Sequence, residues 1–288
     1  MKFFDFFRKK QLGEESHTVG PVILSNGVQL SKELVPYLHT IEKSALPFIQ
    51  IKASPEEKLS LTQSKFGGRG YWPTGDPYPT DTNGKYLFLL AQLNFEEVPP
   101  LPGYPQKGLL QFYISTNDLM GLNFDDPTAQ TGHRVIYFEE YGEARAEKDF
   151  AFLIDVDFSF VPVNRSMGLA FQEQTDYIGS LDLRFEKNFG EDCMEFTERF
   201  GEKGDDVGEE LCDNFGCDGH KIGGYACFTQ SDPREQRAGH EEWILLLQID
   251  SQDSDIVWGD AGIGNFFIHP EDLKKKDFSR VLYNWDCS

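Results

Sequence analysis

The sequence predicts an α+β fold, with largely antiparallel β-sheets and flanking helices, built by internal duplication with approximate two-fold pseudo-symmetry. Three observations predict it. The first is self-similarity. At an offset of 156 positions Lys65, Gly67, Gly68, Asp76, Pro77, Leu89, Leu90 and Gln92 fall on Lys221, Gly223, Gly224, Asp232, Pro233, Leu245, Leu246 and Gln248. The match resumes at an offset of 154, where Gly108, Phe112 and Ile114 meet Gly262, Phe266 and Ile268, and then at 146, where Arg134, Val135 and Tyr137 meet Arg280, Val281 and Tyr283. The second is that the matched apolar runs have strand length and are bounded by Gly and Pro. The third is that helix signals precede the repeat, so helices and strands are segregated and do not alternate as in a parallel fold.

Residues 1–20 read as an N-terminal tail or short helix. Their basic cluster follows the apolar part, which Asp5 interrupts, unlike a secretory leader. Phe3, Phe4, Phe6 and Phe7 would line one side of such a helix. Ser31 has the chemistry of an N-cap for a stripe of Leu34, Val35, Leu38 and Ile41 at helical spacing. Residues 48–52 read as a strand. Ser54, Pro55 and Glu57 have the pattern of a second helix start.

Strands follow at 86–95, 109–114, 133–139 and 150–163, the last alternating Phe152, Ile154, Val156 and Phe158 with polar neighbours. The partner of 86–95 is 243–250. Residues 186–218 change character. They are rich in Asp and Glu, have few large apolar residues and read as a solvated, partly helical linker. Residues 21–288 then form a single globular domain containing the repeats 65–138 and 221–285.

Forty-eight acidic and 27 basic residues leave a net charge of −21. That field repels a phosphate backbone and an anionic bilayer, so neither nucleic acid nor membrane is an expected partner. A basic protein is the macromolecular partner the charge admits, and a small-molecule ligand stays open. No apolar run approaches the roughly 18 residues of a spanning helix. Five cysteines without a leader segment point to a reducing, cytoplasmic setting with free thiols.

The candidate binding residues are the recurring ones, Lys65, Trp72 and Asp76 with their copies Lys221, Phe228 and Asp232. The glycine pair beside each lysine permits positive φ and close backbone approach, and Asp before Pro closes a turn. Either the core needs this loop twice, or the two loops form a symmetric cleft. Gln92 and Gln248, inside apolar strands, are expected to be buried amides with backbone partners.

No cofactor is expected. The glycines are wrongly spaced for a phosphate loop, and residues 258–265 read as a turn into a strand. Cys212, Cys217, His220 and Cys227 supply a single short knuckle where a closed tetrahedral metal site uses two, so no metal is expected either. Asp155 and Asp157, two apart on an expected strand, share a face as a carboxylate pair or as a solvated edge. No nucleophile elbow or zinc-protease helix organises a reaction.

The runs KFGGRGYWPTGDPYP, LFLLAQLNF, GLLQFYI and RVIYF, then KIGGYACFTQSDPR, ILLLQID and WGDAGIGNFFI, resemble the YwqG-like family of bacterial proteins from about residue 30 to the end. The resemblance implies a cytoplasmic bacterial protein with an α+β fold built by duplication, and it carries over no reaction or catalytic residue. The expected function is that of a non-enzymatic cytoplasmic interaction or binding protein. The alternative is a small-molecule-binding protein or enzyme with a cleft between the repeats.

Overall fold

The computed structural model describes residues 21–154, 156–235, 237 and 239–287. The aromatic tail expected at 1–20, and the Asp155 half of the carboxylate pair, lie outside the described residues. The strands are β1 (Leu46–Pro55), β2 (Lys65–Phe66), β3 (Phe88–Asn94), β4 (Leu109–Ile114), β5 (His133–Phe138), β6 (Met167–Asp176), β7 (His220–Gly223), β8 (Ile244–Asp250), β9 (Ile263–Ile268) and β10 (Val281–Asp286). They form one antiparallel sheet in the order β10-β9-β8-β7-β1-β6-β2-β3-β4-β5. The helices are short: α1 (Leu38–Lys43), α2 (Phe185–Phe189), α3 (Cys193–Glu198), α4 (Gly204–Asp213) and α5 (Pro270–Lys275).

This corrects the expected α+β class. The molecule is mostly antiparallel β, its ten strands curl into a nearly closed barrel, and 17% of it is helical. The physical reason lies in the centre of the sheet. β1 and β6 pair along ten residues, from Leu46 opposite Asp176 to Pro55 opposite Met167, and join the two halves edge to edge into one surface. A single curled sheet buries its concave face on itself, so it needs no helical layer there. Phe66, Leu90, Phe112, Met167, Ile222, Leu246, Phe266 and Tyr283, from both halves, meet in one apolar cluster. The convex faces are covered by loops, with Trp72, Tyr78 and Phe150 over one half and Phe228 and Trp243 over the other.

The strand order is the pairing pattern of a two-fold axis between β1 and β6, with the first strand of each half exchanged. β1 lies beside β7 and β6 beside β2. Lys65 sits opposite Gln92 and Gly168, while Lys221 sits opposite Gln248 and Gln50. Even the irregularities recur, because β3 is bulged between Leu89 and Ala91 and β8 between Leu245 and Leu247. The last strand corrects the sequence alignment. Ile114 faces His133 and Ile268 faces Val281, an offset of 148 in place of 146. A slip of two residues keeps every side chain on its own face, which is why the shifted alignment still matches like with like.

Other elements differ from the sequence reading. Ser54 and Pro55 end β1 and begin no helix. The 3₁₀ helix Glu147–Leu153 runs into residues 150–163, where a strand was expected, and Asp157 is exposed and accepts from Ser159. β6 was not foreseen, since its outer residues Gln172, Glu173 and Gln174 lack an apolar alternation. The acidic linker is partly helical, as expected, but it also carries a core. Phe185, Phe196, Val207, Leu211 and Phe215 bury against Leu34, Ile41, Tyr177 and Tyr225 in a second apolar cluster. Ser31 does accept from the Leu34 amide.

The gap between the outer strands is bridged by the segment before β5. Its Pro127 carbonyl accepts from the Tyr283 amide (3.0 Å), and buried His133 donates from Nε2 to the Val281 carbonyl (3.1 Å). Among the described residues its Nδ1 has no hydrogen-bond partner, and burial pushes its pKa down to about 4.

Gln92 and Gln248 are fully buried and bind alike. Gln92 accepts from the Tyr71 amide (2.9 Å) and donates to the carbonyls of Leu61 and Gln63 (2.9 and 2.8 Å). Gln248 accepts from the Cys227 amide (2.8 Å) and donates to the carbonyls of Cys217 and Gly219 (2.7 and 2.8 Å). Every partner is shifted by 156 positions. A second, unforeseen pair supports them, since Gln111 donates to the Tyr71 carbonyl (2.7 Å) and Asn265 to the Cys227 carbonyl (2.8 Å).

Replacing Gln92 or Gln248 by Leu strands one buried amide and two carbonyls, and each change is expected to lower unfolding stability by about 2 to 4 kcal/mol in urea titration. A negligible loss in both variants would show that the amides do not hold the loops. His133 adds a pH dependence. Its folded pKa lies below the unfolded value, so its contribution is complete above about pH 6.5 and is lost as pH falls towards 4. The melting temperature of the wild type should therefore fall more steeply between pH 7 and 4.5 than that of His133→Gln, which keeps an amide donor but cannot titrate.

Candidate functional site

Each glycine pair follows a lysine on a short strand and turns the chain off the sheet. Gly67 and Gly68 have φ of +65° and +71°, and Gly223 and Gly224 have +74° and +72°. A side chain at Gly68 would strike the Ser166 hydroxyl, and one at Gly224 the Asp176 carboxylate. The loops then run over the convex faces. Trp72 is buried edge-on to Tyr78, Tyr113 and Phe138, and its indole donates to the Asp76 carbonyl (3.1 Å). Phe228 is buried and stacked on Phe267. Both aromatics therefore act as lids on their own half.

The polar members of the six diverge. Asp76 is exposed, whereas Asp232 is buried and grips Arg234 through Nε (2.9 Å) and Nη2 (2.6 Å). Lys65 and Lys221 are both 1% exposed, and each ammonium binds the carbonyl four residues on, that of Arg69 (2.8 Å) or Tyr225 (3.1 Å). The further partner differs. Lys221 pairs with the Asp176 carboxylate (2.9 Å) and lies over the Phe48 ring, while Lys65 donates to the Ser60 carbonyl (2.5 Å). Burial pushes the Lys65 amine down to about 8, with Glu147 and Glu97 opposing. Lys65 lines a cavity of about 280 Å³ with Glu57, Arg69 and Glu147. The six residues are thus divided between the halves, with Lys65 beside one cavity and the aromatics inside the two lids.

Around Lys221 the structure assembles groups the sequence did not connect. Arg234 reaches Asp182 (3.4 Å), Asp182 binds Arg184 (2.7 Å), and the Arg184 guanidinium lies 4.8 Å over the Tyr225 ring. Burial pushes the Asp182 carboxyl up, but the Arg184 guanidinium outweighs it and leaves the pKa below the ordinary range. Burial also raises Asp176, against the pull of Lys221. These ion pairs fasten the second glycine loop to the segment after β6.

Beside them lies a cleft of about 260 Å³ lined by Leu211, Cys212, Phe215, Cys217, Tyr225 and Cys227. Cys217 and Cys227 are the residues whose backbones Gln248 holds, and both line this cleft. The neighbouring Cys217 thiol, ahead of the nearby Lys221, holds the Cys227 pKa below its ordinary value, while the Cys217 pKa is raised by Cys227 and by burial. His220 belongs elsewhere. Its Nδ1 accepts from the Asp250 amide (3.0 Å), its Nε2 meets Gln252 (2.9 Å), and its ring packs edge-on to Phe66. Among the described residues no group of three or more His, Cys, Asp or Glu side chains is placed to hold a metal ion.

Above the cleft, α2 to α4 present acid to solvent. Residues 186–218 contain twelve acidic and three basic side chains, so they carry nine of the chain's 21 net negative charges. Ten of the twelve acids are exposed, and Met194 stands among them 69% exposed. Among the described residues no helix is long and apolar enough to cross a membrane.

A family model described as domain of unknown function (DUF1963) matches residues 64–287. The chain belongs to this family. The match runs from the residue before β2 past the end of β10, so the DUF1963 region includes both glycine loops, the ion-pair network and the cysteine cleft. β1, the central strand joining the two halves, lies outside it. A comparison with curated proteins finds no match.

Within this DUF1963 region the two lysines should respond differently to removal. Lys221→Met leaves the buried Asp176 carboxylate without its cation and is expected to cost about 3 to 5 kcal/mol in denaturant titration. Lys65→Met loses only bonds to neutral carbonyls and should cost about 1 to 2 kcal/mol. Equal losses would show that the Asp176 pair contributes nothing beyond its hydrogen bonds.

Proposed function

We propose that this protein is a non-enzymatic, cytoplasmic interaction protein of the bacterial YwqG-like type, and that its acidic helical layer receives a basic protein partner. The observation that carries this reading is the division of labour within residues 186–218. Their aromatic residues are committed to the second apolar cluster, and ten carboxylates remain exposed around Met194. A surface of one sign steers an opposite charge at long range, and an exposed apolar residue on the same segment supplies contact area once docked. The same field disfavours nucleic acid and anionic membranes. Both recurring loops are accounted for by covering the convex faces, which favours interaction over a symmetric catalytic cleft.

The test compares the wild type with a variant carrying Glu195→Lys, Glu198→Lys and Glu202→Lys, all at exposed positions. A basic protein captured by the wild type from the native organism should be released as salt rises past the range where charges are screened within about 8 Å. Its affinity for the triple variant should fall at least about tenfold. Capture that ignores both salt and the substitutions, or tight binding to DNA or anionic vesicles, would overturn the reading.

A further inference from the structure

The cysteines at 217 and 227 have no counterpart in the first half, where Leu61 and Tyr71 occupy the same two places on Gln92. The fold therefore does not require thiols there. It does hold them together, since the Gln248 side chain grips the Cys217 carbonyl with one end and the Cys227 amide with the other. Cys217 is buried and Cys227 is half-buried, and both line the 260 Å³ cleft, whose walls Leu211, Phe215 and Tyr225 are largely apolar.

We propose that this cleft is a hydroperoxide-reactive dithiol site in which Cys227 is the attacking sulfur and Cys217 the resolving one. Cys227 is the more accessible of the two, as the attacking sulfur must be, while Cys217 is buried, and the neighbouring Cys217 thiol, ahead of Lys221, holds the Cys227 pKa below its ordinary value. Attack of the Cys227 thiolate on the distal oxygen of a hydroperoxide forms an S–O bond and breaks the O–O bond. The leaving alkoxide takes a proton and departs as an alcohol, or as water when the oxidant is hydrogen peroxide. Sulfur is oxidised to sulfenic acid and the peroxide is reduced by two electrons. Cys217, held on the same Gln248 amide, then attacks the Cys227 sulfur. The S–S bond forms, the S–O bond breaks, and hydroxide leaves with the Cys217 proton as water. The apolar walls and the acidic surroundings select an uncharged oxidant over an anionic one.

The product would tie the base of the acidic helical layer, just after α4, to the second glycine loop. In the first half no such link can form.

The experiment uses the full chain, fully reduced and then exposed to stoichiometric hydrogen peroxide or cumene hydroperoxide. Mass spectrometry of the intact protein should show the loss of two hydrogens, and peptide mapping should place a Cys217–Cys227 link. Cys217→Ser should trap sulfenic acid at Cys227, captured by dimedone about tenfold faster than at the exposed Cys212. Cys287→Ser, outside the cleft, should form the link unchanged. In case a Ser variant fails to fold, dimedone competition in the wild type reads the same order of reactivity. A Cys227 no more reactive than Cys212, or a link that joins any other pair of cysteines, would overturn the proposal.

Discussion

One buried primary amide in each half organises what surrounds it. A glutamine in the middle of an apolar strand must find three partners or destabilise the fold, and in this protein it finds them in two chain segments that would otherwise be independent. One segment enters the short strand, and the other leaves it past the glycine pair. By clamping both, Gln92 and Gln248 fix where the chain quits the sheet, and this sets where the Trp72 and Phe228 lids land. The bulges at Leu89/Ala91 and Leu245/Leu247 lie one turn of the pleat away. Because a bulge twists a strand more strongly, the same region also contributes to the curl that brings β5 towards β10.

Exchange of the first strands makes the two halves depend on each other. β1 reaches the second half's β7 and β6 reaches the first half's β2, so neither half holds its full set of sheet neighbours alone. The loop after β3 reinforces this dependence. The Tyr104 hydroxyl donates to the Leu245 carbonyl across the barrel, and from the other half Gln252 reaches the Ala53 carbonyl (3.4 Å). Val163 likewise bridges to Ile256.

Legibility in the sequence followed the range of the interaction concerned. β4 at 109–114 is an apolar run between breakers and was read with its boundaries intact. The duplicated glutamines were legible because repetition marked them. β6 was not, since it owes its strand state to ten backbone pairs with β1 and not to any alternation of its own. The linker's partly helical character was legible, but its core was not, because its aromatics are scattered among acids and bury only through Leu34, Ile41 and Tyr177, which are distant in sequence. Of the candidate site, Lys65 and Lys221 were visible as a pair. What distinguishes them, the Asp176 carboxylate 45 residues from Lys221, depends on a strand the periodicity did not reveal.

Duplication also supplies a way to separate structural from functional residues without comparing other chains. Where both copies keep a residue type and its bonds, as at Gln92 and Gln248, the fold alone explains it. Where the copies differ, each difference needs its own explanation, and some have a plain packing one. Gln111 satisfies its carbonyl oxygen with the Tyr113 hydroxyl (2.9 Å), whereas Asn265 meets Phe267 at that place and its Oδ1 has no partner among the described residues. The differences at Leu61/Cys217 and Tyr71/Cys227 are of another kind. They substitute reactive sulfur for inert side chains on an unchanged backbone scaffold, beside a lysine that has gained a carboxylate, at the edge of the one segment that concentrates the acid. A scaffold that works with leucine and tyrosine in one half gains no evident packing from two thiols in the other. The dithiol chemistry proposed for the second glycine loop accounts for this substitution, as packing does not.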